Sequence, residues 1–256
     1  MASNNGDHRT WQRFECKYFI DEARAAWIRG FCLEHLQPDP HSLGRPGFEY
    51  PISSLYLDSP DERCLRGTLE RQPIRAKLRI RTYKHFHEPS EDLPSFLEIK
   101  RKRFGVVHKT RALVPRDVAD RLTWNPTSWT PGWAGADPEA VANTNEFLSV
   151  RSQIHAEPIV GVYYTRQAYE SGTGDRVRIS LDRNLHYGLI PRPGSGEHEL
   201  WWPVELPHVI LEIKFTNTFP FWVADLVRIG NISRRGVCKL VLCSRAASTT
   251  REFVGC

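Results

Sequence analysis

The sequence predicts an α+β fold in which an antiparallel β-sheet closes, or nearly closes, into a barrel flanked by helices. Segments of alternating apolar and polar residues recur at short spacing, which is typical of antiparallel strands. Helical patterns flank or interrupt these segments at 21–36, at about 115–155 and at 221–232. The chain has 256 residues, enough for one domain with a substantial core.

The first predicted helix, 21–36, has Ala, Trp, Ile, Phe and Leu at helical spacing, and Asp21 is placed to cap its start. The turn-rich stretch QPDPHSLGRPG ends it. A helical insertion over about 115–155 then separates two groups of strands. The predicted strands are ISSLYLD (52–58), AKLRIRTY (76–83), SFLEIKRK (95–102), GVVHKTRALV (105–114), IVGVYYTRQAYE (159–170), RVRISLDRNL (176–185), HVILEIKF (208–215) and VCKLVLC (237–243).

The net charge, the lack of long apolar runs and the two ends of the sequence indicate a single-domain protein that is not inserted in a membrane. We expect a disordered segment at 1–10, a single domain at 11–246 and a tail at 247–256. The net charge of +5 fits anionic partners without demanding them. No run approaches the roughly 20 apolar residues of a membrane span, and MASNNGDHRTWQRF lacks the apolar core of a secretory signal. A cytoplasmic protein without direct membrane insertion is therefore expected.

Cysteine and histidine spacing argues against a zinc site. The six cysteines include no C-x-x-C pair and are predicted to be reduced thiols that mostly fill the core. His85 and His87 could bind a metal, but a solvated loop after a strand is the favoured interpretation.

The alternation places cations on one face of several strands. Side chains at i, i+2 and i+4 share a face, so Leu78 and Ile80 oppose Arg79 and Arg81. A half-exposed sheet would explain one such strand, but protein surfaces normally mix charges, and neighbouring cations repel across an empty sheet. We therefore interpret these faces as the lining of a lumen that holds a polyanion. A few carboxylates there would hold a divalent metal that bridges its phosphates.

The segments RFECKYFI, SSLYLDSP, KLRIRTY, FLEIKRK, YYTRQAYE, VRISLD, ILEIKF and CKLVLC, in this order, resemble the triphosphate tunnel metalloenzymes. Within them the chain resembles the polyphosphate-polymerase branch, the VTC (vacuolar transporter chaperone) domain. The resemblance implies an eight-stranded antiparallel barrel. Its interior forms a triphosphate tunnel that binds triphosphate or polyphosphate with Mn²⁺ or Mg²⁺. One departure is Cys238-Lys239-Leu240, where the family usually has Ser-Lys-Tyr, so one hydroxyl donor is lost.

The resemblance also implies roles for individual residues. Glu212 and Glu98 would hold the metal, with Glu15 as a helper. The implied catalytic residues are Lys17, Arg79, Arg81, Glu212 and Lys239. The implied phosphate-binding residues are Lys100, Lys109, Arg111, Tyr164, Arg166, Arg178 and Lys214.

The resemblance implies a metal-dependent phosphotransferase that adds the γ-phosphate of ATP to a growing inorganic polyphosphate chain. A triphosphate hydrolase with the same tunnel and a non-catalytic polyphosphate-binding module remain as alternatives, and Glu212 argues against the second. Nucleic-acid binding is not expected, because the cations alternate with aliphatic residues rather than with stacking aromatics. The expected partners are ATP and polyphosphate, and a membrane-protein partner is left open.

Overall fold

The computed structural model describes residues 13–83, 93–128, 133, 136–171, 177–189, 200–216, 219–234 and 236–254. The predicted disordered segment 1–10 and the pair His85 and His87 lie outside these ranges. The strands are β1 (Arg13–Ile20), β2 (Gln37–Pro38), β3 (Glu49–Asp58), β4 (Ile74–Thr82), β5 (Ser95–Arg103), β6 (Val106–Val114), β7 (Glu157–Glu170), β8 (Arg178–Leu189), β9 (Leu200–Pro203) and β10 (Val209–Thr216). The α-helices are α1 (Glu22–His35), α2 (Arg63–Leu69), α3 (Arg116–Trp124), α4 (Pro138–Gln153), α5 (Phe221–Ile229) and α6 (Lys239–Val254).

The strands form one antiparallel sheet in the order β1-β10-β8-β7-β3-β4-β5-β6, with β2 added to β7 and β9 to β8. The main path has eight strands, but its ends, β1 and β6, do not pair within the described ranges. The predicted closure into a barrel is therefore wrong. The sheet nevertheless curls, because Lys100 Nζ on β5 lies 2.9 Å from Glu15 Oε2 on β1. An ion pair between side chains thus connects β5 with β1, although no backbone ladder joins β1 and β6 within the described ranges.

The apolar faces of the strands lie on the outside of the curled sheet beneath the helices, as the alternation predicted. One outer core joins α1 and α5 to the strands around β10, with Ile28, Val223, Leu226, Ile179, Leu211 and Ile213 among its members. The other joins α3 and α4 to β4 and β5, with Leu122, Phe147, Leu78, Leu97 and Ile99 among its members. Burying such a side chain is worth about 1.5–3 kcal/mol, so these two cores turn the charged faces inward.

The predicted helices at 21–36, 115–155 and 221–232 are confirmed, as α1, as α3 with α4, and as α5. The Asp21 side chain caps α1 by accepting a hydrogen bond from the backbone N–H of Arg24 at 2.7 Å. Asp137 caps α4 in the same way, accepting from the backbone N–H of Ala140 at 2.8 Å. Each cap satisfies a backbone donor that the first turn of a helix leaves without a partner.

The predicted last strand at 237–243 is wrong, because Lys239–Val254 forms α6. Val237, Leu240, Cys243 and Ala247 follow a helical spacing and pack with inner residues of β3, β7 and β8. A short apolar run fits a strand or a helix equally well by period alone. Residues 247–254, predicted as a tail, continue the helix.

Membrane-spanning helices and disulfides are both missing from the described ranges. None of the helices there is long and apolar enough to cross a membrane. The cysteines found there are free thiols, of which Cys32, Cys64 and Cys243 are buried.

Candidate functional site

The concave face of the sheet carries a continuous set of charged side chains. Residues directly opposite each other in an antiparallel pair share a face. Lys17 is opposite Glu212, and Arg79 is opposite both Tyr56 and Glu98. The register thus gathers Glu15, Lys17, Arg79, Arg81, Glu98, Lys100, Lys109, Arg111, Tyr164, Arg166, Arg178, Glu212 and Lys214 on one face, and Lys239 joins them from the first turn of α6.

The most enclosed part of this face is built around Asp182 on β8. Arg166 on β7 binds it through both prongs of the guanidinium, with Nε 2.6 Å from Oδ1 and one terminal nitrogen 2.8 Å from Oδ2. Lys239 Nζ lies 2.5 Å from the same Oδ2 and 4.5 Å from the centre of the Tyr164 ring. Burial raises the pKa of Asp182, but Arg166 and Lys239 outweigh burial and hold the pKa below its ordinary value. Asp182 therefore holds two cations from different elements in one place.

Glu212 on β10 and Glu15 on β1 form a carboxylate pair beside this group. Lys17 Nζ lies 2.8 Å from Glu15 Oε1 and 3.6 Å from Glu212 Oε2, and Lys214 also pairs with Glu212. Burial raises the pKa of Glu212, yet Lys214 and Lys17 hold it well below the ordinary range. Burial and Glu212 likewise raise the pKa of Glu15, while Lys17 and Lys100 bring it down to about 2. Both carboxylates are therefore ionised at neutral pH.

This pair fits Mn²⁺ or Mg²⁺ better than Glu98 does. Hard divalent cations of this size bind through one or two carboxylates and complete their coordination with phosphate oxygens and water. Glu15 and Glu212 share one lysine ammonium group, so a cation already sits between them. No group of three His, Cys, Asp or Glu suited to a metal occurs in the described part of the chain. A metal here would therefore need oxygens from the substrate.

Glu98 on β5 is surrounded by cations instead of by carboxylates. Its Oε2 lies 2.7 Å from Nε of Arg79 on β4, and its Oε1 lies 2.5 Å from Lys109 Nζ and 3.2 Å from Arg111 Nε on β6. Burial raises the pKa of Glu98, but Arg79 and Arg81 together with Lys109 hold it far below the ordinary range. Burial lowers the pKa of Lys109 to about 8, against the opposing effect of Glu98. Glu98 thus gathers three cations around one anionic group, as a bound phosphate would.

Hydroxyl groups lie between the charges around Glu98 and those around Asp182. Two of them, on Ser54 and Tyr56, were not predicted from the sequence. Arg79 donates to Tyr56 Oη at 3.1 Å, and Arg81 donates to Ser54 Oγ at 3.3 Å and to Tyr164 Oη at 3.4 Å. Burial raises the pKa of Tyr56, but Arg79 and its neighbours lower it overall. Ser54 and Tyr56 are two residues apart in ISSLYLD, so the strand alternation that placed the cations on the inner face also places these two hydroxyls there.

Arg178 and Cys238 lie at the margins of the face. Arg178 donates to Tyr50 Oη and to Glu170, each at 3.2 Å, and pairs with Asp39. Cys238, where the resemblance leads one to expect a serine, accepts from Lys77 Nζ at 2.9 Å. Burial raises the pKa of Cys238, but Lys77 outweighs burial and lowers it. The Cys238 thiol thus contacts Lys77, which shares the concave face with Arg79 and Arg81, at the position where a serine hydroxyl was expected. The roles assigned to these residues in the sequence analysis remain predictions.

Three solved structures are similar to the chain. A candidate adenylate cyclase from Bacillus halodurans is 14% identical, with 89% of this chain and 95% of that chain covered and a TM-score of 0.49. A protein from Pyrococcus horikoshii is 14% identical, with 90% and 98% covered and a TM-score of 0.44. A candidate adenylyl cyclase from Hippeastrum with a dominant triphosphatase activity is 15% identical, with 92% and 96% covered and a TM-score of 0.47.

Comparison with curated proteins gave no match. The family model described as "VTC domain" matches residues 12–238, which include every element from β1 to α5. The chain therefore belongs to the VTC domain family.

Proposed function

We propose that the chain is a polyphosphate polymerase that transfers the γ-phosphate of ATP to a growing inorganic polyphosphate chain. The observation that carries the proposal is the convergence of Lys and Arg side chains from seven strands and α6 on one concave face. Membership of the VTC domain family supports it. A bound phosphate chain would neutralise cations that otherwise repel one another.

Binding would replace carboxylate contacts with phosphate contacts. Arg166, Arg79 and Arg81 present planar two-pronged donors that match phosphate oxygens, whereas Lys17 and Lys239 act as compact point charges. Glu98 already holds Arg79, Lys109 and Arg111 around one anionic group. A phosphate that binds beside Glu98 would accept from the same three donors.

Glu212 and Glu15 would hold the Mn²⁺ or Mg²⁺, which when bound neutralises charge on the phosphate oxygens. The residues of the chain supply position and fixed charge. Asp182 keeps Arg166 and Lys239 in a single arrangement before substrate arrives, so little reorganisation remains for the transition state.

The transfer itself needs no strong general base. A terminal oxygen of the acceptor polyphosphate, already largely ionised near neutral pH, forms a bond to the γ-phosphorus. The bond from the γ-phosphorus to the β,γ-bridging oxygen breaks, and ADP leaves with that electron pair. Holding the acceptor and the leaving group in line is therefore the main task of the cationic face.

The test is to incubate the protein with ATP and Mn²⁺, to separate the products on a gel stained for polyphosphate, and to assay orthophosphate in parallel. A ladder of long chains with little orthophosphate is expected. Orthophosphate without a ladder would identify a triphosphate hydrolase, and neither product, together with tight polyphosphate binding, would identify a binding module.

Two variants check that the product arises at this site. Glu212→Gln should abolish turnover and retain polyphosphate binding. Replacing Arg79 and Arg81 together by Ala should abolish both. Unchanged activity and binding in the double variant would refute the site.

A further inference from the structure

The hairpin between β5 and β6 ends in an unusual turn. Its two central residues, Phe104 and Gly105, have φ values of 47° and 92°, and Arg103 pairs with Val106 to close it. Turns with two positive φ values favour Asn-Gly, because L-residues with larger side chains are strained in the left-handed region. A bulky aromatic residue at the first position works against the stability of the turn. Strain that persists in a native structure points to a use for the side chain.

The side chains at this turn are exposed and apolar. Phe104 is 72% exposed, Val106 55% and Ile74 54%. The backbone N–H of Phe104 donates to the carbonyl of Pro73 at 2.9 Å, and Ile74 pairs with Arg103 across the sheet. The turn and the segment before β4 therefore form one surface, residues 71–75 with 102–107, here named the hairpin tip.

Cations surround these apolar groups. Arg71, Arg75, Lys102 and Arg103 all belong to the hairpin tip, and none of the salt bridges found among the described residues involves any of them. Arg75 and Lys102 are direct neighbours at the end of the concave cationic face, whereas Arg103 is opposite Ile74 on the outer face. Burial lowers the pKa of Lys102, and the neighbouring cations, Arg75 first among them, lower it further, whereas Glu15 raises it. Such a group attracts a surface of negative charge.

We propose that the hairpin tip docks the protein on an anionic membrane surface, with Phe104 inserted among the lipid headgroups and the cations at the charged surface. Apolar side chains backed by Lys and Arg are the composition of segments that lie in the membrane interface. The tip is a convex turn, which suits a deformable lipid layer, whereas an acidic protein partner would need a matching groove. No spanning segment is required, and the docking is independent of the proposed polymerase activity.

The test is co-sedimentation of the full chain with phosphatidylcholine vesicles that contain or lack phosphatidylserine. Binding is expected only to the phosphatidylserine vesicles and should weaken as salt rises. Phe104→Asn removes the aromatic ring but suits the left-handed turn, so it should weaken vesicle binding about tenfold with no loss of thermal stability. Phe221→Asn is the matched control, because Phe221 is 92% exposed on α5, outside the hairpin tip. It should leave vesicle binding unchanged.

Polyphosphate is a competing anion for the same cations, and the variants separate the two. Arg103→Glu, on the outer face beside Ile74, should weaken vesicle binding. Phe104→Asn should leave product formation from ATP in solution unchanged, so a failure of docking and a failure of the proposed function are distinguishable. No binding to phosphatidylserine vesicles, or equal binding by wild type and Phe104→Asn, would overturn the proposal. Binding of an acidic protein without vesicle binding would do so as well.

Discussion

The two walls of the cationic face use the same residue types in different surroundings. The buried wall comprises β1, β7, β8 and β10 with the start of α6, and the open wall comprises β4, β5 and β6. In the buried wall the Arg166 side chain is 7% exposed, whereas in the open wall that of Lys109 is 42% exposed. Helix α6 covers β7 and β8 of the buried wall, whereas β6 is, like β1, an edge of the sheet within the described ranges. Enclosure, not composition, distinguishes the walls.

This difference suggests a division of work. A buried carboxylate fixes the geometry of its cations, because any displaced charge would remain unpaired away from water. Cations at an open edge can turn toward solvent, so they tolerate a change of partner. We therefore expect the buried wall to hold the reacting phosphate and the open wall to guide the rest of the chain.

The largest expected difference is in stability. Asp182→Ala leaves Arg166 and Lys239 buried without their anion, so the free energy of unfolding should fall by about 3–5 kcal/mol. Glu98→Ala removes an equally buried carboxylate, but two of its three cations can turn to water, so the loss should be about 1–3 kcal/mol. Urea denaturation of both variants measures this. Equal losses would remove the distinction between the walls.

The next difference is kinetic. Arg166→Lys loses the two-pronged contact to Asp182 and should lower kcat for polyphosphate formation about a hundredfold, or ~2.7 kcal/mol of transition-state stabilisation. Arg111→Lys in the open wall should leave kcat nearly unchanged and raise KM less than about fivefold. Steady-state rates with ATP test the pair. A larger fall in kcat for Arg111→Lys would reverse the assignment of roles.

The smallest effect concerns Glu15, where the two walls meet through Lys100. The folded pKa of about 2 lies below the ordinary 4.5. The stabilisation from the ionised carboxylate is thus fully present above pH 4.5 and is lost as the pH falls toward 2. With a discount for partial exposure of the side chain, we expect a loss of about 1–2 kcal/mol.

The Glu15→Gln variant is the control for this titration. It should be less stable than the wild type at pH 7, and the difference should vanish at low pH. Acid titration of the unfolding free energy of both proteins measures it. If the unfolding free energies of the two proteins differed by the same amount at every pH, the ionised Glu15 carboxylate would not stabilise the fold.

Several features of the fold and site could be read from local pattern. The period-2 alternation in KLRIRTY and FLEIKRK determined which side chains face inward, because a strand cannot place neighbouring residues on the same face. The apolar spacing and cap at Asp21 likewise predicted α1. The predicted cations do meet on one face, although their roles remain predictions.

Other features depend on residues far apart in the sequence. The run at 237–243 fits a strand, but its apolar side chains find their partners inside the curled sheet only as a helix. The sequence also did not reveal that Lys17 lies between Glu15 and Glu212, or that three cations surround Glu98, because these contacts join different strands.

By itself the sequence determined the two-faced strands and the charge of the inner face, since each follows from periods of a few residues. Only the tertiary structure decided that the sheet stays open between β1 and β6 in the described part of the chain, and that Asp182 binds both Arg166 and Lys239. The physical reason is that strand alternation sets the direction of a side chain but not its partner. The partner is set by the curvature of the sheet and by what packs inside it.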